Sequence, residues 1–140
     1  MSEDEVRAFL TSSPPHVATL ATVRADGRPH VAPLWYDVDD DGAIVFNTGA
    51  TTVKGRNVAR DPRASLCVHD ELPPFNFVVL EGTVELSDDL AEVRQWAARI
   101  GGRYMGRDRA EEYGERNGVP GELLARLRPS HVVSEADLSD

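Results

Sequence analysis

Short β-rich runs separated by tight-turn signals constrain this chain more than any other feature. His16–Val23 is rich in strand-forming residues, and Ala25-Asp26-Gly27-Arg28 carries an Asp-Gly hairpin signal. Pro29–Val38 supplies the partner strand, with Pro33 marking an edge or a bulge. Asp39-Asp40-Asp41-Gly42 makes the next turn and Ala43–Thr48 a third strand, so an antiparallel meander is expected. Further strands are predicted over Arg63–His69, over Phe75–Leu86 with Gly82 as a bend or bulge, and over Leu123–Val133, interrupted at Pro129. The helices read as inserts. One covers residues 3–11 behind the Ser2-Glu3-Asp4-Glu5 capping box, and another runs from Thr52 to Arg60, where Pro62 stops it. A third follows the Ser87-Asp88-Asp89 cap, carries the apolar stripe Leu90, Val93, Trp96, Ala97 and Ile100, and ends at Gly101-Gly102. A polar helical piece covers 107–115. Strands do not alternate with helices of crossover length, so a doubly wound sheet is disfavoured and a small antiparallel barrel is expected.

The 140 residues suffice for one domain, 1–140, with a core of its own. No run of 18 apolar residues occurs, so no membrane span is expected, and no charged-then-apolar leader is seen, so the expectation is a cytoplasmic protein. A formal charge of −9 disfavours nucleic acid as a partner, and the single Cys67 excludes an internal disulfide and a thiolate zinc cluster. His16, His30, His69 and His131 lack metal-ligand spacing, so no metal is expected.

Against this acidic background, 54–63 is locally basic. The segment Asn47-Thr48-Gly49-Ala50-Thr51-Thr52-Val53-Lys54-Gly55-Arg56-Asn57 leaves an apolar strand, turns at Gly49 and opens a helix at Thr51 or Thr52. A helix start presents unpaired N–H groups and a partial positive charge. Threonine hydroxyls and the chain's only lysine, Lys54, arrive at the same place, which makes an anion site of backbone, hydroxyl and cation. The spacing is not that of a P-loop. An ordinary Thr-capped strand–turn–helix fits the same pattern equally well.

Several stretches then add a resemblance: Val17-Ala18-Thr19-Leu20-Ala21-Thr22, Asp26-Gly27-Arg28-Pro29-His30-Val31-Ala32-Pro33, Val45-Phe46-Asn47-Thr48, Thr52-Val53-Lys54-Gly55-Arg56-Asn57, Arg60-Asp61-Pro62-Arg63-Ala64-Ser65-Leu66 and Glu81-Gly82-Thr83-Val84. In this order and spacing they resemble the pyridoxamine-5'-phosphate-oxidase-like split β-barrel superfamily, with the branch that uses the deazaflavin coenzyme F420 as the nearest. The resemblance implies a mainly β fold with helical inserts, an FMN-binding type of antiparallel split barrel with six to seven strands. It also implies a homodimer with two cofactor sites at its interface. The second strand, Ala32, Pro33, Leu34 and Trp35, would lie along the tricyclic ring. Asn47, Thr48, Thr52, Val53, Lys54 and Asn57 would hold the phosphate, and Asn76, Phe77 and Val78 of the other subunit would border the ring.

Departures from the FMN-binding pattern bear on the cofactor. Such relatives place an arginine in the second strand and an Arg-Lys pair at the helix start, where this chain has Ala32 and Val53-Lys54. FMN brings a nearly doubly charged phosphomonoester, whereas F420 brings a singly charged phosphodiester and a lactyl-oligoglutamate tail. One ammonium suits the smaller charge. The implied function is an F420-dependent oxidoreductase that transfers a hydride between the reduced deazaflavin and an unsaturated small organic substrate. The alternatives are an FMN-dependent oxidase or reductase of the pyridoxamine-phosphate-oxidase type, and a non-catalytic haem or cofactor-binding split barrel. No nucleophile–base–orienter set is legible. Trp35 is a candidate for stacking on the ring, Tyr104 and Tyr113 for shaping a substrate pocket, and Arg56 and Arg60 for meeting tail carboxylates. The substrate itself, and the source of any proton, are not specified by the residues.

Overall fold

The computed structural model describes residues 1–140. Its elements run α1 (Glu3–Leu10), β1 (Ala18–Val23), β2 (Pro29–Leu34), β3 (Asp37–Val38), β4 (Ile44–Gly49), α2 (Val53–Arg60), β5 (Arg63–His69), β6 (Phe77–Ser87), α3 (Leu90–Met105), a 3-10 turn (Arg107–Arg109), α4 (Ala110–Asn117) and β7 (Glu122–Glu135). All strand pairs are antiparallel, in the order β2-β1-β5-β6-β7-β4-β3, and the sheet curls into a split barrel.

Alternation within the strands fills the interior. Leu20, Ile44, Phe46, Leu66, Val68, Val78, Leu80 and Leu127 all point inward and are buried, and each contributes about 1.5–3 kcal/mol relative to exposure. Tyr36 joins them at 0% exposure because its hydroxyl donates to the Leu10 carbonyl at 2.7 Å. The capping box at Ser2 and Glu5 forms and starts α1, whose Leu10, Val6 and Phe9 close one side of this core.

Three expectations are corrected. The meander fails: the strand expected over Pro29–Val38 breaks at Trp35-Tyr36, and Asp37–Val38 pairs with β4 rather than continuing along β1. β2 is therefore one edge of the sheet and β3 the other. The break lets Trp35 turn outward while Tyr36 enters the core. Second, α3 does not stop at Gly101-Gly102 but continues to Met105. A Cβ on Gly101 would strike the Tyr113 side chain, and one on Gly102 would lie 2.9 Å from the Ala110 Cβ. The two glycines are buried mid-helix because α4 packs against them there, not because the helix ends. Third, Pro129 does not interrupt β7. It pairs with Gly82 at a register shift that leaves Ser130 as an extra residue, the bulge that lets a strand accommodate proline.

One side of the sheet is left bare. The pairing registers place Pro33, Thr19, Cys67, Val79 and Val133 in a continuous row across five strands, beside a second row of Val31, Ala21, Ser65, Glu81 and His131. These side chains alternate with the core residues and so face outward. Val31 is 64% exposed and Val133 45%. No helix is long and apolar enough to cross a membrane.

Candidate functional site

The turn between β4 and α2 is built as follows. Thr48 ends the inward face of β4 at 2% exposure, and Thr52 takes the N-cap position of α2. The Thr52 hydroxyl accepts from the Gly55 N–H at 3.2 Å and donates to the Gly49 carbonyl at 2.8 Å, while the Thr48 hydroxyl lies 3.4 Å away. A Cβ at Gly55 would run into the Gly49 carbonyl, so glycine is what lets the helix start sit directly on the turn. The Thr52 hydroxyl gives its proton to Gly49, so the buried Thr48 hydroxyl is the donor of the pair, and the first-turn N–H groups and Lys54 are left as free donors.

Lys54 is half-buried, and no carboxylate lies within ion-pairing distance of its ammonium. Burial lowers its pKa from the usual lysine value, and the longer-range field of Glu122 pulls it partly back. Glu122 is placed there because it pairs with Gly49 at the start of β7.

The other residues expected at this corner divide into groups. Asn57 is buried and committed: its amide donates to the Thr22 hydroxyl at 3.0 Å and its carbonyl accepts from Arg60 at 3.3 Å. Arg60 also donates to the Val23 carbonyl, so both residues brace α2 on β1. Arg56 and Val53 are exposed on the same helix. Asn47 points to the other face of β4, where its amide meets the Val93 carbonyl at 3.4 Å.

Along β2, Ala32 and Leu34 face inward and Pro33 outward. Because β2 is an edge strand, half its backbone groups have no strand partner. His30, two residues before Ala32, has a buried Nδ1 with no hydrogen-bond partner. Trp35 stacks on Tyr104, ring centroids 4.9 Å apart and planes 4° from parallel, with Tyr113 tilted at 5.9 Å. One face of the indole is thus already taken by the helical arm.

Asn76, Phe77 and Val78 are not brought to this corner within one chain. They lie where β6 begins beside His69, five β5 residues from the α2 end of the sheet. Val78 is buried, and Asn76 is engaged at both ends of its amide, donating to Asp70 at 3.0 Å and accepting from the Asp137 N–H at 2.7 Å. Asp70 also meets His16 Nε2 at 2.6 Å.

Two elements of the region were not legible in the sequence. Glu122 is 68 positions from Lys54, and only strand pairing joins them. Arg103 donates to the Tyr36 carbonyl at 2.6 Å and the Leu10 carbonyl at 2.7 Å and lies 3.7 Å from Asp37. It lies past Gly101-Gly102, a local signal for a helix end, so no nearby residue places it on α3. It clamps α1, the β2–β3 corner and α3 together. Beside it, burial pushes the Tyr36 phenol up to about 12.

The sequence matches the model of the family described as pyridoxamine 5'-phosphate oxidase over residues 2–134. The chain belongs to the pyridoxamine 5'-phosphate oxidase family. Within it, the chain is 27% identical over 139 residues to an F420H(2)-dependent biliverdin reductase of Mycobacterium tuberculosis (strain CDC 1551 / Oshkosh), covering 98% of this chain and 90% of that protein. It is 33% identical over 105 residues to a pyridoxine/pyridoxamine 5'-phosphate oxidase of Pseudomonas paraeruginosa (strain DSM 24068 / PA7), covering 71% of this chain and 48% of that one. The chain therefore spans about half the length of that oxidase. A crystal structure of a conserved hypothetical protein from Mycobacterium tuberculosis superposes with a TM-score of 0.86 at 29% identity, covering 99% of this chain and 87% of the other. Both of these named relatives are redox enzymes, one a reductase and one an oxidase.

Proposed function

We propose that this member of the pyridoxamine 5'-phosphate oxidase family is an F420-dependent oxidoreductase acting on an unsaturated small organic substrate. The observation that carries the reading is Lys54: a half-buried ammonium at a helix start with no protein carboxylate to pair it. The fold does not need this charge, and burial makes it costly, so a bound anion is what compensates it. The nearby Glu122 favours a singly charged phosphodiester over a nearly doubly charged phosphomonoester, since each added negative charge meets the same repulsion. Ala32 and Val53, where FMN-binding relatives hold arginine, point the same way. The near full-length match to an F420H(2)-dependent enzyme adds support.

In this reading Lys54 and the first-turn N–H groups of α2 bind the phosphate, Thr48, Thr52 and Asn57 hold that turn in place, and Val53 lines it. The free backbone of Ala32, Pro33, Leu34 and Trp35 flanks the ring, and Asn47 positions the strand that carries Thr48. When bound, the reduced deazaflavin supplies the hydride, and the chain supplies position and exclusion of water. In this reading Asn76, Phe77 and the backbone of Val78, whose side chain stays in the core, meet the site only from a second copy, so the working unit is a homodimer. The bare rows from Pro33 to Val133 and from Val31 to His131 are the surface on which that copy would pack.

Titration with F420 and with FMN separately, read by fluorescence quenching, tests the cofactor. Saturable F420 binding with weaker FMN binding is expected. FMN binding in the micromolar range without response to F420 would replace this reading with the FMN alternative, on which a phosphomonoester occupies the same turn. Thr19→Arg, placing a charge in the middle of the bare row, should shift sedimentation from dimer to monomer. A monomeric wild type would remove the second copy from the site.

A further inference from the structure

A second charged cleft lies away from the α2 turn. It opens between the end of α1, β3, α3 and the 3-10 turn, and encloses about 410 Å³. Arg99, Arg103 and Arg107 line it, with Asp37 as its only carboxylate and Ala98, Gly102 and Ala110 as its apolar floor. Arg99 and Arg103 stand one turn apart on α3, and Arg107 follows four residues on. Three guanidiniums against one carboxylate leave a formal +2 in a chain whose total is −9.

The fold accounts for two of these arginines. Arg99 Nε donates to Asp37 Oδ2 at 3.0 Å and its Nη2 to the Val38 carbonyl at 3.2 Å. Arg103, with only 13% of its side chain exposed, holds the Leu10 and Tyr36 carbonyls. Asp37 accepts from Arg99 Nε and from the Val38 N–H at 2.8 Å and lies 3.7 Å from Arg103, so two guanidiniums already share its single negative charge before Arg107 is counted. Arg107 is exposed, makes no ion pair and is needed by no other element. Each guanidinium has five N–H donors, and the bonds named above leave some unused on each of these three lining residues.

We infer that this cleft binds a small anion bearing two or more carboxylate or phosphate groups, gripped between Arg107 and the free edges of Arg99 and Arg103. A single carboxylate would answer one positive charge, whereas three guanidiniums lining one cavity against a lone Asp37 match an anion with several acid groups. The volume falls in the range of small-ligand sites, roughly 300–1,000 Å³. The small floor residues leave the opening unblocked.

The test is isothermal titration of the full chain with citrate and, separately, with inorganic pyrophosphate, at constant ionic strength against chloride. Saturable binding of either anion is expected. It should weaken by about tenfold in Arg107→Ala, the loss of one charge-assisted contact, and further in Arg107→Glu. Neither variant touches a residue that holds the fold, so their thermal unfolding without ligand should match the wild type. Lys54→Ala should leave this binding intact, which separates the cleft from the proposed cofactor turn. Binding of citrate alone assigns carboxylate ligands, and of pyrophosphate alone phosphate ligands. No saturable heat with either anion would overturn the assignment. So would affinity that survives Arg107→Glu, or that is lost in Lys54→Ala.

Discussion

Lys54 and Arg103 are two cations drawn partly out of water at different places in one barrel, and they are treated in contrary ways. Arg103 is answered by two carbonyls and Asp37, and stacks over Tyr36 at 4.8 Å and Tyr104 at 5.5 Å. Lys54 is given a helix start and a distant Glu122 but no partner. A buried cation with its acceptors supplied serves the fold. One left without them costs stability, and that cost is what marks a site for a ligand.

Replacing each cation should therefore move different observables. Arg103→Ala is expected to have the largest effect, lowering stability by about 2–4 kcal/mol in urea unfolding because the Tyr36 carbonyl loses its side-chain donor, the Leu10 carbonyl keeps only the Tyr36 hydroxyl, and the clamp between α1, α3 and the β2–β3 corner is cut. Arg103→Lys should recover only part of this, since an ammonium cannot reproduce the fork. A loss under about 1 kcal/mol for Arg103→Ala would end the contrast on that side.

Lys54→Ala should weaken F420 binding by about 1.5–3 kcal/mol while leaving unfolding stability equal or slightly higher. The lowered pKa gives this a pH signature. The folded protein releases the Lys54 proton at lower pH than the unfolded chain, so the unfolded state binds more protons between the two values. The Lys54 contribution to stability therefore rises with pH across that window, while anion affinity falls through the folded value. Parallel pH titrations of wild type and Lys54→Ala, read by cofactor quenching for affinity and by urea unfolding for stability, check both signs. A pH-independent difference in affinity would count against a direct ammonium contact.

Thr52→Ala removes the cap that shapes the turn and should cost about 1 kcal/mol in thermal unfolding, with a matching loss of cofactor affinity. If stability falls but affinity does not, the turn is structural only. The smallest effect is expected from Glu122→Gln. Removing this partly exposed charge should raise FMN affinity by about 0.5 kcal/mol more than F420 affinity. Equal gains for both would mean that Glu122 does not discriminate by charge.

How much could be read beforehand varied with the range of the interactions. The α2 start was legible because its determinants lie within eleven positions, 44–54: an apolar strand, Gly49, Thr52 as cap and Lys54 beside it. The Ser2–Glu5 capping box is local in the same sense, whereas the bulge opposite Gly82 exists only because β7 supplies Ser130. The strand order was not local. Asp37–Val38 looked like the continuation of β2, yet Tyr36 fits the core only if the chain turns there, and the two residues then pair with β4. Gly101-Gly102 looked like a stop until α4 was seen to need their missing side chains.

The sequence alone determined where strands and helices form, that their packing is a barrel rather than a doubly wound sheet, and that an unusual lysine sits at a helix start. Those properties follow from backbone propensity, alternation and capping, which act over a few residues. Tertiary structure alone decided which cation is satisfied and which is not. It set Glu122 beside Lys54, gave Arg103 its carbonyls, turned Asn57 into a brace, and gathered three arginines around one cleft. Each of these depends on which distant backbone group the folded chain brings within hydrogen-bonding or Coulombic reach.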